Sequence, residues 1–420
     1  WAILPTSTLI RADYSQRPVS SFDYKYKDII NDIYTEGKIF ERVDFEPIMS
    51  GSGVFRKPTH FSIQSCKDKQ CYSFVSKGNW RSIDVTEEHP MYVLDGKRYR
   101  KREKIQYDKL WREEQGIKSD SIVKVKIPKN LVVKKEAKDV VKTDFLLTPI
   151  PECGIESLDQ KLAWAVGLTI ADVCVSNYDH LYNKIVPYIA GKGFEKRFTK
   201  KVFNLDKESR LTILAGYFDG DGHFNKKSNE LVSVNISQDM ADQIYWMLLS
   251  VGIRASVIKC KVKETTYLDK EGVYYNIHIP ASDVKIIAPY MRSQKIPSDM
   301  DFKKTENLCF FYKEGGKTYF AQPIKKIKTY KYTGEVYDLQ IDPERSYVSG
   351  GYVTSNCRFY YSTEAKVAAG VDFYSTFSMT AFKLKCKDQK ILKYFEKKVK
   401  DLDLSYWLKA ISHEYFLLGD

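Results

Sequence analysis

The 420-residue chain has no apolar run approaching the ~18 residues that a membrane-spanning helix needs. Nor does it open at Trp1 with the charged, then apolar, then small-residue pattern of a secretory leader. These two gaps argue against a helical membrane protein and set the expectation of a soluble, cytoplasmic one with no membrane partner. Metal-ligand spacing is missing as well. The eight cysteines are scattered, with Cys66 and Cys71 the only close pair, so they read as free thiols rather than a zinc site or a disulfide framework.

What the chain does have is length, apolar content and positive charge. At 420 residues and 43% hydrophobic content it has room for two or three packed domains. Its net charge of +13 is unevenly placed. Residues 97–142 hold sixteen basic and seven acidic side chains, a net of +9, and residues 184–210 hold eight basic against three acidic. Such stretches suit a phosphate backbone, as in double-stranded DNA, or else form a solvated basic face.

The most informative stretch lies near the end. Gly334-Glu335-Val336-Tyr337-Asp338-Leu339-Gln340-Ile341 is followed by Ser346-Tyr347-Val348-Ser349-Gly350-Gly351-Tyr352-Val353-Thr354-Ser355-Asn356-Cys357. The pattern is a Val-Tyr-Asp-Leu strand, a Tyr-Val strand, a Gly-Gly turn and a terminal Asn-Cys. It resembles the C-terminal splicing motif of inteins. Asn356 can close its side-chain nitrogen on its own carbonyl and cut the chain behind it, and the Cys357 thiolate can take over an acyl group. An isolated Ser-Asn-Cys would be an ordinary turn, so the resemblance needs a partner at the other end of the chain.

That partner is found in two places. Ala2-Ile3-Leu4-Pro5-Thr6-Ser7-Thr8-Leu9-Ile10, with Arg17-Pro18-Val19 after it, resembles the N-terminal intein motif, except that Ala2 stands where the family carries a Cys or Ser nucleophile. Two explanations stand side by side: a deliberate block of the first step, or a natural variant in which Cys357 attacks the Trp1 carbonyl directly. Further on, residues 71–75 and 81–90 alternate like a hairpin. Thr86 and His89, spaced Thr-x-x-His, match the motif that grips the N-terminal scissile peptide. A histidine titrating near neutrality can serve a departing amide nitrogen, and a threonine can orient it. By the resemblance, Asp338 activates Cys357 or couples the first steps. The family usually places His where Ser355 stands and often another where Arg345 stands, so Asn356 cyclisation is expected to be slow.

Residues 122–128 and 144–147 read as further strands, and many short strands with few helical periods imply a mainly β splicing domain, horseshoe-like by the resemblance. Between its two parts the pattern turns helical. Trp164-Ala165-Val166-Gly167-Leu168-Thr169-Ile170-Ala171-Asp172-Val173 and Ile213-Leu214-Ala215-Gly216-Tyr217-Phe218-Asp219-Gly220-Asp221-Gly222 resemble the paired signature helices of LAGLIDADG homing endonucleases. Glycines at 167 and 216 would let the helices approach closely. Asp172 and Asp221 would then share a divalent metal, Mg²⁺, over a phosphodiester.

After Asp221 the spacing supplies a full α+β body: strands at 231–237, 254–263 and 272–280 around a helix at 239–251. Only 49 positions separate Asp172 from Asp221, fewer than the roughly 60 that four strands, two helices and loops require. One half of the endonuclease is therefore expected to be lost and its cleavage with it.

The expected layout is Trp1 as N-extein, 2–150 and 319–356 as the two parts of the splicing domain, 151–318 as a reduced LAGLIDADG-type insertion, and 357–420 as a mainly helical C-extein. Fragments such as Arg358-Phe359-Tyr360-Tyr361 and Glu414-Tyr415-Phe416-Leu417 in this last segment are similar to tailed-phage portal-type proteins, which would put the spliced product in a virion. Splicing itself calls for no cofactor and uses the chain's own exteins as substrate in a single turnover. Competing readings are an active DNA-cutting enzyme and an inert insertion in a phage structural protein.

Overall fold

A computed structural model describes residues 2–22, 28–32, 37–41, 45–114, 129–171, 183–191, 195–262, 272–297 and 309–356. Residues 1–357 form one unit and 358–420 a second. The expected strand at 122–128, Asp172, Cys357 and the expected helical segment beyond it lie outside the described residues.

The first unit is built on a large, curled antiparallel sheet. The strands that position the site are β1 (Thr8–Ile10), β2 (Gln16–Pro18), β3 (His60–Ser76), β4 (Ser82–Thr86), β5 (Pro90–Leu94) and β6 (Phe145–Pro149). They are joined later in the chain by β11 (Lys317–Gln340), β12 (Ser346–Ser349) and β13 (Tyr352–Ser355). Their order is β2-β1-β12-β13-β5-β6-β11-β3, with β4 on β3. Strands from the two ends of the chain thus alternate, and the first and last motifs share one sheet.

The sequence suggested many short strands, yet β3 runs for 17 residues and β11 for 24. They pair along most of their length, from Ile324↔Ser76 to Gln340↔His60, and register shifts at Ile324/Lys326 and Tyr332/Gly334 let the ribbon bend without ending. A second difference is the helix α1 (Gly96–Glu114), which occupies the basic stretch after β5. The alternating side chains Ile3, Leu9, Val85, Met91, Tyr337, Leu339, Tyr347 and Tyr352 close on one buried core.

The described part of residues 151–318 contributes α2 (Gln160–Ala171), α3 (Lys207–Asp221), α4 (Gln238–Ser250) and α5 (Ala281–Ile287). With them comes a four-stranded sheet of β7 (Gly222–Asn225), β8 (Glu230–Asn235), β9 (Ser256–Val262) and β10 (Gly272–Ile279), ordered β7-β8-β10-β9. Capping sets the helix starts. The Asp206 side chain accepts the Ser209 N–H ahead of α3, and Ser237 accepts that of Met240 ahead of α4. Between α2 and α3 the described residues hold 3-10 turns and one two-residue strand pair, Ile189–Ala190 with Arg197–Phe198.

This segment is not a separate bead. Its apolar core runs without a break into Ile10, Tyr14 and Met49 of the sheet region. The Tyr14 ring stands edge-on to Phe203 at 4.3 Å and stacks on Trp246 at 6.4 Å. Around it the polar contacts converge on α4. Arg81 forks onto Asp242, whose Oδ1 also accepts from Gln16, and Arg17 forks onto Asp239 at 2.6 and 2.7 Å.

Candidate functional site

Four stretches far apart in sequence meet at the edge of β4 and β13. Ala2 is buried and extended. Its neighbour Ile3 exchanges two backbone hydrogen bonds with Tyr337, each 2.8 Å. Thr86 grips Ala2 twice: the Ala2 N–H donates to Thr86 Oγ1 at 3.0 Å, and the Thr86 N–H donates to the Ala2 carbonyl at 3.0 Å. The nitrogen held in this way is that of the Trp1-Ala2 peptide.

His89 follows one tight turn later, its N–H donating to Thr86 O at 3.0 Å, and its side chain is completely buried. Burial drives its pKa well below 6.5, with the positive charge of Lys134 acting in the same direction. The imidazole is therefore neutral at physiological pH. Its Nε2 lies 2.5 Å from Thr354 Oγ1 on β13, two residues before Asn356.

Next to Ile3, Asp338 is also buried and accepts a 2.9 Å hydrogen bond from the Tyr347 hydroxyl. At the other end, Asn356 is held by its backbone N–H on Arg345 O and by its side-chain Nδ2 on Ile341 O, each at 3.0 Å. Its Oδ1 is buried and has no hydrogen-bond partner among the described residues. The Ser355 hydroxyl is within reach of two acceptors, Asn356 O at 3.1 Å and Arg345 O at 3.3 Å. A hydroxyl on Asn356 O polarises the carbonyl that a cyclising carboxamide would attack. A carbonyl accepting from Nδ2 makes that nitrogen the richer in electrons.

The described site thus brings together Ala2, Thr86, His89, Asp338, Ser355 and Asn356. Arg345 enters through its backbone carbonyl and holds a left-handed φ of 49°. Sequence reading missed Thr354, Tyr347 and the carbonyl of Ile341. Thr354 had one visible signal: it shares the strand alternation of Asn356, two positions on.

The glycine reading of the signature helices holds in detail. A Cβ on Gly167 would lie 1.8 Å from Ile213 O, and one on Gly216 would lie 2.1 Å from Trp164 O, so α2 and α3 touch backbone to backbone. Each helix ends against a lysine. Lys196 Nζ donates to Ala171 O at 2.9 Å. Lys295 Nζ reaches four carbonyls at the end of α3, among them Asp219 O at 2.6 Å and Gly222 O at 2.8 Å. Both ammoniums sit at the negative ends of the helix dipoles. Asp221 closes α3 and is half-buried. Asp219 is committed to structure, its oxygens accepting from Trp164 Nε1 and from the backbone of Arg292 and Ser293. Among the described residues no three His, Cys, Asp or Glu side chains gather as a metal site.

Residues 208–288 match the LAGLIDADG-like domain family. The match runs from α3 through α5 and leaves α2 outside it, in keeping with one complete copy of the α+β body. Three relatives share longer stretches. An ATP-dependent DNA helicase Hel308 of Thermococcus kodakarensis is 23% identical over 37% of this chain and 13% of its own length. A DNA polymerase of Thermococcus hydrothermalis is 24% identical over 53% of this chain and 13% of its own. A DNA polymerase of Thermococcus kodakarensis is 26% identical over 39% of this chain and 11% of its own. The chain therefore corresponds to a small part of each of these proteins.

Proposed function

We propose that residues 2–356 are an intein with a HINT-type splicing fold, interrupted by a reduced homing endonuclease and followed by a C-extein of phage portal type. The observation that carries this reading is the burial of Ala2 and Asn356 against one sheet, linked through Thr86, His89 and Thr354. The relatives support it. A helicase and two polymerases do different chemistry, and a segment similar to part of each suits an element that inserts into unlike hosts.

In the proposed sequence, Thr86 holds the Trp1-Ala2 amide nitrogen while the Cys357 thiolate attacks the Trp1 carbonyl. The C–N bond breaks, the Trp1 acyl group passes to sulfur as a thioester, and the Ala2 nitrogen leaves with a proton as an amine. Asn356 Nδ2 then attacks its own carbonyl, forming a succinimide and freeing the α-amino group of Cys357. That amine takes the acyl group from sulfur, leaving a Trp1-Cys357 peptide bond and a free thiol. With Ala2 in place of a nucleophile, and Ser355 in place of a histidine, the chain as written persists mainly as precursor.

Mass spectrometry of the chain after long incubation, beside an Ala2→Cys variant, tests this. Ligated Trp1-Cys357 product or junction cleavage is expected to be faster in the variant, and adding Asn356→Ala should abolish ligation and cleavage at the Asn356-Cys357 junction. Absence of both products in both chains would sink the splicing reading.

The LAGLIDADG-like match favours one further reading, that the insertion still engages double-stranded DNA. We take it to bind without cutting, because the match covers one body and the 49 positions before Asp221 cannot hold another. Mg²⁺ would enter only if Asp172 and Asp221 still paired to hold it. A Mg²⁺-dependent nicking assay on DNA spanning the uninterrupted insertion site should show no specific cleavage; a specific cut overturns this assignment.

A further inference from the structure

We infer that Thr354 is a positioning residue for the N-terminal junction: its hydroxyl sets which nitrogen of His89 carries the proton. The inference rests on the splicing reading above for its functional consequence, and on geometry alone for its structural one. Thr354 is fully buried in β13, facing Met91 of β5 on one side and Tyr347 of β12 on the other. Its side chain is therefore fixed by two neighbouring strands. Thr354 Oγ1 has two polar partners within reach, Pro90 O at 3.0 Å and His89 Nε2 at 2.5 Å. A backbone carbonyl can only accept, so the Thr354–Pro90 contact is a hydrogen bond only when the hydroxyl proton lies on Pro90 O. In that arrangement the Thr354 oxygen accepts from His89, and Nε2 is the nitrogen that bears hydrogen.

In a neutral imidazole this leaves Nδ1 as the basic nitrogen. The consequence reaches across the site. His89 comes from the turn that follows Thr86 and its grip on Ala2. Thr354 comes from the strand that ends in Asn356. One hydroxyl thus ties the protonation of the N-terminal junction to the placement of the C-terminal one, and a shift of β13 during Asn356 cyclisation would be felt at His89. Without Thr354 the ring loses this acceptor for Nε2–H, and the proton is expected to shift toward Nδ1.

The test uses the full chain with imidazole nitrogens labelled in its six histidines, the His89 signals being assigned by their loss in His89→Gln. His89 is expected as the Nε2–H tautomer in the unaltered chain and in Thr354→Ser, and as Nδ1–H or a mixture in Thr354→Val. In the Ala2→Cys background, thiol-induced cleavage at the N-terminal junction should fall by roughly tenfold or more with Thr354→Val and recover with Thr354→Ser. An unchanged tautomer in Thr354→Val overturns the inference, as does a changed tautomer with unchanged cleavage. If the Ala2→Cys chain shows no junction chemistry at all, the splicing reading fails, while the tautomer comparison still decides what Thr354 does to His89.

Discussion

At His89, burial favours the neutral ring in the folded chain and not in the unfolded one, where the pKa returns to about 6.5. Below pH 6.5 the unfolded chain therefore binds a proton that the folded chain refuses. The stabilisation is complete above pH 6.5 and is lost as pH falls through and below it, at up to about 1.4 kcal/mol per pH unit. Melting temperatures measured between pH 7.5 and 5 should decline, and His89→Gln should flatten the part of the decline that begins near 6.5. A slope identical in both chains would mean that His89 is not the group responsible. At the same scale, Ser355→Ala removes the only side-chain donor described on Asn356 O. Asn356-dependent cleavage in the Ala2→Cys background should slow by about tenfold or more, read by mass spectrometry.

At the scale of elements, α2 and α3 depend on glycine for their contact. Gly216→Ala puts a methyl carbon 2.1 Å from Trp164 O, a backbone atom that cannot turn aside. The helices must separate, at a cost of about 1–3 kcal/mol, and the loss should appear as a lower urea midpoint with an unchanged slope. Gly252→Ala makes a useful comparison, since no atom lies within 4 Å of its Cβ and its penalty comes only from a φ of +87°. The long β3–β11 ribbon shows how an element can escape local reading. Its strands cross polar, half-exposed stretches without stopping, because each residue's hydrogen bonds are supplied by the partner strand rather than by its neighbours in sequence.

At the scale of the molecule, α4 and the turn between β3 and β4 are held together by buried charge. Arg81 and Asp242 are both almost wholly buried, so removing one strands the other. Arg81→Met alone should cost about 3–5 kcal/mol, whereas Arg81→Met with Asp242→Leu should recover most of it. Equilibrium urea unfolding of the three chains separates the cases, and a double variant as unstable as the single one would refute the pairing as the cause. Since Arg81 directly precedes β4, which ends at Thr86, this pair braces α4 against the strand that grips Ala2.

The residues that the fold brings together stood out in the sequence because chemistry restricts them: Asn356 before Cys357, Thr86 three before His89, Gly167 and Gly216 five before an aspartate. The strands around the junction and the α+β body after Asp221 were legible from periodicity of two and of 3.6, which are properties of consecutive residues. Tertiary structure alone decided the rest. Ala2 reaches Thr86 across 84 positions, Arg81 reaches Asp242 across 161, and His89 reaches Thr354 across 265. No local pattern records such pairings, because they arise only when antiparallel strands from both ends of the chain are laid into one sheet and the insertion closes against it.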